Sequence, residues 1–580
     1  MDASTSSAER GKRYLLFIAG MGGLLYGIDV GIIAGALPYL ESTATVAWKL
    51  STQQLSFIVA AVLLGSVLSS LFAGALAEAI GRRWAMVLAG ALFTLSIPMI
   101  SLSDGYTPLL LGRLLQGVSG GLIGVVVPLY LAESLPAAQR GRGAALFQLM
   151  LTIGLVGAAV IGLSQAQNVD AATQAAAALA PLDRTAAVFA AQDHAWRTIF
   201  WLCLAPGLVF TAGSLALKES PRCLALRGQG KIDRPAAKAS TGRDSLASRR
   251  YVLPFLLACL VLALTQATGI NSILAYVVTI LNQAGLPGAT ANAADVALKV
   301  LNAVMTVVAV ILVDRKGRKF LLKLGSGCIV VALVSAGLLF RGAESNQRDV
   351  RAAVEAQVKN GGLALRLDGA QLAALGGGEI EGKDAPQQLT VAYAYGPFTN
   401  VQSRRSDDPL LPAMTLSRED TVQKDSVIGA SLRRWHLNPF ADPAAARDAP
   451  LTMERAWLGP VPPEAHGWQV ALAICLFVAG FAVGPGVCVW LALSELMPTR
   501  IRSNGMSIAL LINQFVSTVI AAMFLPTVGF YGYSTVFFFG AAFSVLYFLT
   551  AAFLLPETKG KTLEEIEQHF VGAGSRVQPG

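Results

Sequence analysis

The feature that most constrains this chain is a set of charged and glycine signatures that occurs twice, each time at the end of an apolar stretch long enough to cross a bilayer. Glu78-x-x-Gly81-Arg82-Arg83 returns as Asp314-x-x-Gly317-Arg318-Lys319, Glu133 with Arg140 returns as Glu495 with Arg502, and Glu219 returns as Glu557. Such pairs mark an internal repeat of a membrane protein. The offset between copies is 236 residues from Glu78 to Asp314 but 362 from Glu133 to Glu495, so about 126 extra residues lie in the second half between those marks. From Glu219 to Glu557 it is 338, which puts about 24 extra residues in the first half between Arg140 and Glu219.

Of the 580 residues 54% are hydrophobic and 14% charged, too few charges to cover so much apolar surface in a water-soluble fold. About twelve spans are read, roughly 14–40, 55–76, 84–103, 108–131, 144–165, 197–217, 252–282, 294–313, 320–340, 467–492, 503–526 and 533–555. This predicts an all-α membrane protein of two pseudo-symmetric six-helix bundles. Residues 1–217 form the first bundle and 218–250 a cytoplasmic linker. Residues 251–341 supply spans seven to nine, 342–466 an extracytoplasmic insert, 467–556 spans ten to twelve, and 557–580 a cytoplasmic tail. Lys and Arg collect on alternate connections, among them Arg82, Arg83, Arg140, Arg318 and Arg502, which places both termini in the cytoplasm. The net charge of +9 is thus topological and gives no reason to invoke nucleic acid. The first span lacks a nearby cleavage site and reads as retained. The six cysteines lie in spans or in the cytoplasmic linker, without metal-site spacing, so neither a disulfide framework nor a structural metal is indicated.

Polar residues inside the spans carry the chemistry. Gln148, Gln266, Asn271, Asn302, Asn513 and Gln514 would each be costly against lipid and belong on the inside, either lining a path or joining helices. Amides donate and accept, so they match the hydroxyls of a neutral polyol; Trp490 and Tyr276 offer stacking faces. Gly269, and Gly484-Pro485-Gly486, predict helix breaks in spans seven and ten, the pattern of a midplane transport site. Asp29 in the first span needs a proton or a counter-ion, and Arg113 in span four is the candidate partner. Competition between the proton and Arg113 would couple transport to protons; a permanent structural ion pair is the alternative. The charges at the inner helix ends either pair across the two bundles as a latch or anchor topology.

Together these strings resemble the sugar porter family of the major facilitator superfamily. They include Gly-Gly-Leu-Leu-Tyr-Gly-Ile-Asp (22–29), Gly112-Arg113, Pro128-Leu129-Tyr130-Leu131-Ala132-Glu133, Glu219-Ser220-Pro221-Arg222, Gln266-x-x-Gly269-Ile270-Asn271 and Pro556-Glu557-Thr558. The resemblance implies sugar contacts for Gln148, Gln266, Asn271, Asn302, Trp490 and Asn513, and aromatic gating for Tyr26 and Tyr276. It implies a cytoplasmic gate of Arg82, Glu133, Arg140, Glu219, Arg222, Arg318, Glu495, Arg502 and Glu557, and proton symport where an aspartate stands at the position of Asp29, beside Arg113. The chain departs from the family at Thr265, Ala275, Val487, Val489 and Gln514, so the architecture is expected and the particular sugar is not.

The insert shows period-two alternation at Leu363, Leu365 and Leu367, and again at Val391, Tyr393 and Tyr395 before Gly396-Pro397. That is the pattern of short strands in a small domain, with an unstructured loop as the other reading. Its own partner is not indicated. The stretch 166–195 is alanine-rich and reads as helical; His436 and His466 read as surface residues. The functional expectation is a secondary transporter that imports a monosaccharide or related polyol by alternating access with a proton as coupling ion and no other cofactor. A proton-independent facilitator and a non-transporting sugar sensor are the alternatives. No glycine-rich phosphate loop, His-Glu-x-x-His or nucleophile elbow occurs, which argues against an enzyme. The alanine-rich composition and short linker point to a bacterial inner membrane.

Overall fold

In hydrocarbon an apolar segment has no backbone partner but itself, so the repeated halves fold as helices. A computed structural model describes residues 2–221, 223–224, 249–359, 362–376, 386–407, 414–422, 427–436, 441–497 and 502–557. Among the described residues eleven helical stretches are long and apolar enough to cross a membrane. The last holds two spans, because Arg502–Leu549 turns at Gly532 (φ 83°). The twelve-span architecture is therefore present.

Spans one to four are Asp2–Trp48, Thr52–Ile80, Arg82–Ser101 and Tyr106–Ser134. Span five is Ala137–Ala176, and span six runs through Pro181–Trp201 and Leu204–Leu215. In the second half span seven is Arg249–Ala267 with Ile270–Gln283, span eight Gly288–Lys316, span nine Arg318–Glu344, and span ten Glu464–Val483 with Pro485–Leu496. The alanine-rich 166–195 stretch is helical apart from a turn at 177–180. At 40 residues span five is about 60 Å long, twice the hydrocarbon thickness, so it projects well past the bilayer. Both expected breaks occur: Gly269 is left-handed (φ 84°), and Gly484 leaves the helical region (φ −104°, ψ −93°) ahead of Pro485.

The insert is a small domain. Arg348–Asp349 (β1), Gln387–Tyr395 (β3), Phe398–Arg405 (β4) and Leu451–Pro460 (β6) form an antiparallel sheet in the order β1-β6-β3-β4. Leu363–Leu365 (β2) pairs separately with Met414–Leu416 (β5). Tyr395 pairs with Phe398, leaving Gly396-Pro397 as a two-residue turn, with glycine at φ 60° in the position a type II′ turn reserves for it. Leu363, Leu365, Val391, Tyr393 and Tyr395 bury together with Val354, Met414, Met453 and Leu458 in a core separate from those of the spans. Burial pushes the Tyr393 hydroxyl up to about 12, so it stays a neutral acceptor for the Asn400 amide at 3.1 Å.

His436 is exposed, but His466 corrects the sequence reading. Its ring nitrogens lie 3.1 Å from the carbonyls of Ala284 and Leu339. The first turn of span ten packs between the ends of spans seven and nine, and the imidazole ties the three together.

Tyr393→Ala is expected to remove about 3 kcal/mol or more from the insert core. Limited proteolysis would then cut within 386–460 faster while helical content by circular dichroism stays unchanged.

Candidate functional site

At the basic ends of the two bundles the same device appears twice. Span three begins at Arg82 with no side-chain cap of its own. Glu219 supplies one from a distance, its Oε1 accepting from the N–H groups of Arg82 (2.9 Å), Arg83 (3.2 Å) and Ser220 (3.0 Å). Glu557 does this for span nine, accepting from Arg318 N–H and Lys319 N–H at 3.2 Å each. A carboxylate at a helix N-terminus meets both unsatisfied donors and a favourable dipole. The glycine before each helix has its physical reason here: at Gly317 (φ 89°) a Cβ would come within 2.7 Å of the Glu557 carboxylate. Arg82 pairs with Glu133 at 3.0 Å in a nearly dry setting, and Ser220 donates to Glu133 at 2.6 Å.

These described contacts each join elements of a single bundle. The sequence offers a latch across the bundles or an anchor of topology for these charges; the contacts described here tie helix ends within each bundle. Arg222 lies outside the described residues, as do the side chains of Arg140, Trp490, Glu495 and Arg502.

Midway along the second bundle, the break at Gly269 brings three of the expected amides together. Gln266 donates to Asn513 Oδ1 (3.2 Å), and Asn271 donates to Gln266 Oε1 (3.0 Å) and Ser517 Oγ (2.8 Å). Asn513 in turn donates to the Leu262 carbonyl (3.0 Å). The cluster is a ready set of donors and acceptors held by two spans. Gln148 in the first bundle and Asn302 on span eight make no side-chain hydrogen bond among the described residues, which leaves their amides available to a ligand. Thr265, a departure from the family pattern, is turned away: its hydroxyl donates to Val261 O (2.7 Å) and sits 3.1 Å from the Tyr547 hydroxyl.

The aromatic pair falls at different levels. Tyr26 faces Gln514 of span eleven across the bundle interface. Tyr276 is fully buried nearer the insert, stacked on Phe524 at 4.4 Å and donating to Ala521 O at 3.3 Å.

Asp29 and Arg113 are both buried, at 2% and 1% exposure, and face one another electrostatically. Among the described residues they form no ion pair, however. Arg113 donates to Gln116 Oε1 at 2.6 Å and lies over the Phe200 ring, while Asp29 Oδ1 has no partner.

Sequence reasoning passed over a second buried pair. Asp295 and Lys299, one helical turn apart on span eight, meet at 2.6 Å with side chains 1% exposed. Lys299 also reaches the Gly31 carbonyl of the first bundle at 3.4 Å, two residues from Asp29. An acid and a base four residues apart inside an apolar span was the available signal.

A family model described as "Sugar (and other) transporter" matches residues 15–356 and 458–570, leaving out most of the insert. Among curated relatives, facilitated glucose transporter member 12 of solute carrier family 2 from Danio rerio is 28% identical, covering 95% of this chain and 87% of its own. A putative metabolite transport protein of Bacillus subtilis is 25% identical, covering 96% of this chain and 94% of its own. Among solved structures, a D-xylose–proton symporter superposes with a TM-score of 0.62 at 20% identity, covering 95% of this chain and 99% of that one. The inward-open xylose transporter from E. coli gives 0.60 at 19%, covering 96% and 98%. The structural likenesses establish the fold.

Breaking the Asp295–Lys299 pair leaves one uncompensated buried charge, whereas neutralising both members does not. Lys299→Met alone should destabilise by about 3–5 kcal/mol, and Asp295→Asn with Lys299→Met should recover most of that loss, read as thermal unfolding in detergent.

Proposed function

This chain belongs to the sugar transporter family, and from that membership we propose that it imports a monosaccharide or related polyol by alternating access, coupled to a proton. It is a multi-pass integral membrane protein and a transporter rather than an enzyme. The observation that carries the sugar reading is the amide cluster of Gln266, Asn271 and Asn513 beside the helix break at Gly269. With Gln148 and Asn302 it gives uncharged donors and acceptors for hydroxyl groups and no fixed charge for an ionic substrate. Trp490 is proposed as the stacking face.

Proton coupling rests on Asp29. The relatives' names divide between facilitated transport and proton symport, so the site itself has to supply the argument. A buried carboxylate without a bonded partner needs a proton or a counter-ion, and Arg113 is engaged with Gln116. Proton uptake at Asp29 and approach of Arg113 are therefore alternatives for one site, and exchanging them shifts span one against span four. Tyr276 serves as the gate toward the insert and Tyr26 as the inner aromatic. Arg82, Glu133, Arg140, Glu219, Arg222, Arg318, Glu495, Arg502 and Glu557 keep the basic ends of each bundle rigid, so that the two bundles rock as bodies. We place the insert outside and both termini in the cytoplasm, on the strength of the basic residues at the opposite end, in a bacterial inner membrane.

The test is uptake of labelled pentoses, hexoses and inositol into proteoliposomes with and without an inward proton gradient. Gradient-driven accumulation of one sugar is expected, abolished by Asp29→Asn while exchange survives, and Gln266→Ala should reduce both by roughly tenfold or more through lost hydrogen bonds. Equilibration that ignores the gradient would make the protein a facilitator. Binding without flux would favour a sensor.

A further inference from the structure

The insert does more than sit above the spans. Its strand β4 lies over the joint between the two bundles. Asn400 Oδ1 accepts from Thr52 N–H (3.1 Å) and Val401 O from the Thr52 hydroxyl (2.6 Å), both at the start of span two. On the other side Gln388 donates to Gln283 Oε1 (2.8 Å) and Arg405 to Asn282 O (3.3 Å), at the end of span seven. Beneath this roof lies a half-open cavity of about 130 Å³. The first bundle contributes Glu41 and Thr52 to its wall, the second Thr279 and Gln283, and the insert Gln388, Ser403 and Trp457.

Resting on the transport reading above, we propose that this roofed cavity is a second, outer binding site for one monosaccharide or polyol of similar size. It would be occupied before the gate opens and is built jointly by the insert and both bundles. The wall has the chemistry for it. Thr279 is 6% exposed and lines the cavity; its hydroxyl finds no hydrogen-bond partner among the described residues and is turned away from the cavity, into which a rotation about its Cα–Cβ bond would bring it. A buried hydroxyl left unpaired is costly, and a ligand hydroxyl would satisfy it. Glu41 makes no hydrogen bond with its carboxylate among the described residues, so it can accept from a second hydroxyl. Its charge is faced by Arg404, so the site does not demand a cation. Gln283 Nε2 donates to no partner among the described residues, and the Trp457 indole supplies an apolar wall. The volume lies below the roughly 300 Å³ at which pockets for larger ligands begin, which suits one sugar ring and excludes an oligosaccharide. Thr279 stands one turn beyond the gating Tyr276 on the same helix, so an occupant presses directly on the element that has to move.

The experiment is equilibrium binding of labelled D-glucose, D-xylose, D-galactose and myo-inositol to the full chain in nanodiscs, without a gradient, beside the uptake assay. Two classes of site are expected. Gln266→Ala should remove the inner class and spare the outer, whereas Thr279→Val and Trp457→Ala should weaken the outer class about tenfold, the worth of a lost hydrogen bond or two. Thr279→Val is close to isosteric and guards against a Trp457→Ala insert that fails to fold. A single class removed by Gln266→Ala and untouched by Thr279→Val overturns the outer site. Absence of uptake, with the Thr279-dependent class still present, overturns the transport reading and leaves the outer site standing.

Discussion

Hydrocarbon offers no hydrogen bonds, and almost everything particular about this molecule follows from where its polar groups find partners instead. Helices satisfy the backbone except at their ends and breaks, and those are the places where function collects. The two spans that begin at Gly-Arg sequences have their first N–H groups met by carboxylates from the far ends of their own bundles, Glu219 and Glu557. The broken span seven exposes backbone and amides together at Gln266, Gly269 and Asn271. Each solution uses one charged or polar group to remove several unsatisfied ones, and each is worth more here than it would be in water.

Most of this frame was legible in the sequence, because the period of the apolar runs and the duplication of the signatures are local facts. The twelve spans, the breaks at Gly269 and Gly484, and the strands at Leu363–Leu365 and Val391–Tyr395 all lie where composition and turn residues put them. The grouping of Gln266, Asn271 and Asn513 follows from the same pattern, since only an inward face lets such residues survive in a span. Partner choice was not legible. Glu219 caps a helix 137 residues earlier, and nothing in the spacing says that its target is a helix terminus rather than a charge on the opposite bundle. Asp295 and Lys299 pair within a single turn, so they neither interrupt the helix nor lengthen the loop, and the apolar run reads through them. His466 looked like a surface residue because the helix ends it joins are brought together only by the packing of three spans.

The insert sets the remaining question, which is how a bridge across both bundles can coexist with rocking between them. Magnitudes decide which side lets go. Among the described contacts, the hold on the first bundle includes two hydrogen bonds at Thr52, an exposed Lys49–Glu419 pair and the charge of Arg404 facing Glu41. At about 1 kcal/mol per net hydrogen bond the Thr52 contacts amount to roughly 2 kcal/mol, and the water-exposed Lys49–Glu419 pair adds little. The second bundle is held by Gln388 on Gln283, by Arg405 on Asn282 O, and by Arg455, which donates to Phe530 O at 3.0 Å and lies over the Tyr531 ring. It is also the bundle into which the insert is spliced, so both connecting strands anchor there covalently, and Val401 packs where a Cβ on Gly529 would have to stand, 2.8 Å away. On the proposed alternating-access reading, the insert travels with the second bundle and releases Thr52 when the insert end opens. A hold of about 2 kcal/mol is the size that biases a two-state equilibrium without freezing it. It favours the state closed at the insert end, together with the Lys299 reach to Gly31 O, and it leaves the opening within the range that one bound ligand can drive.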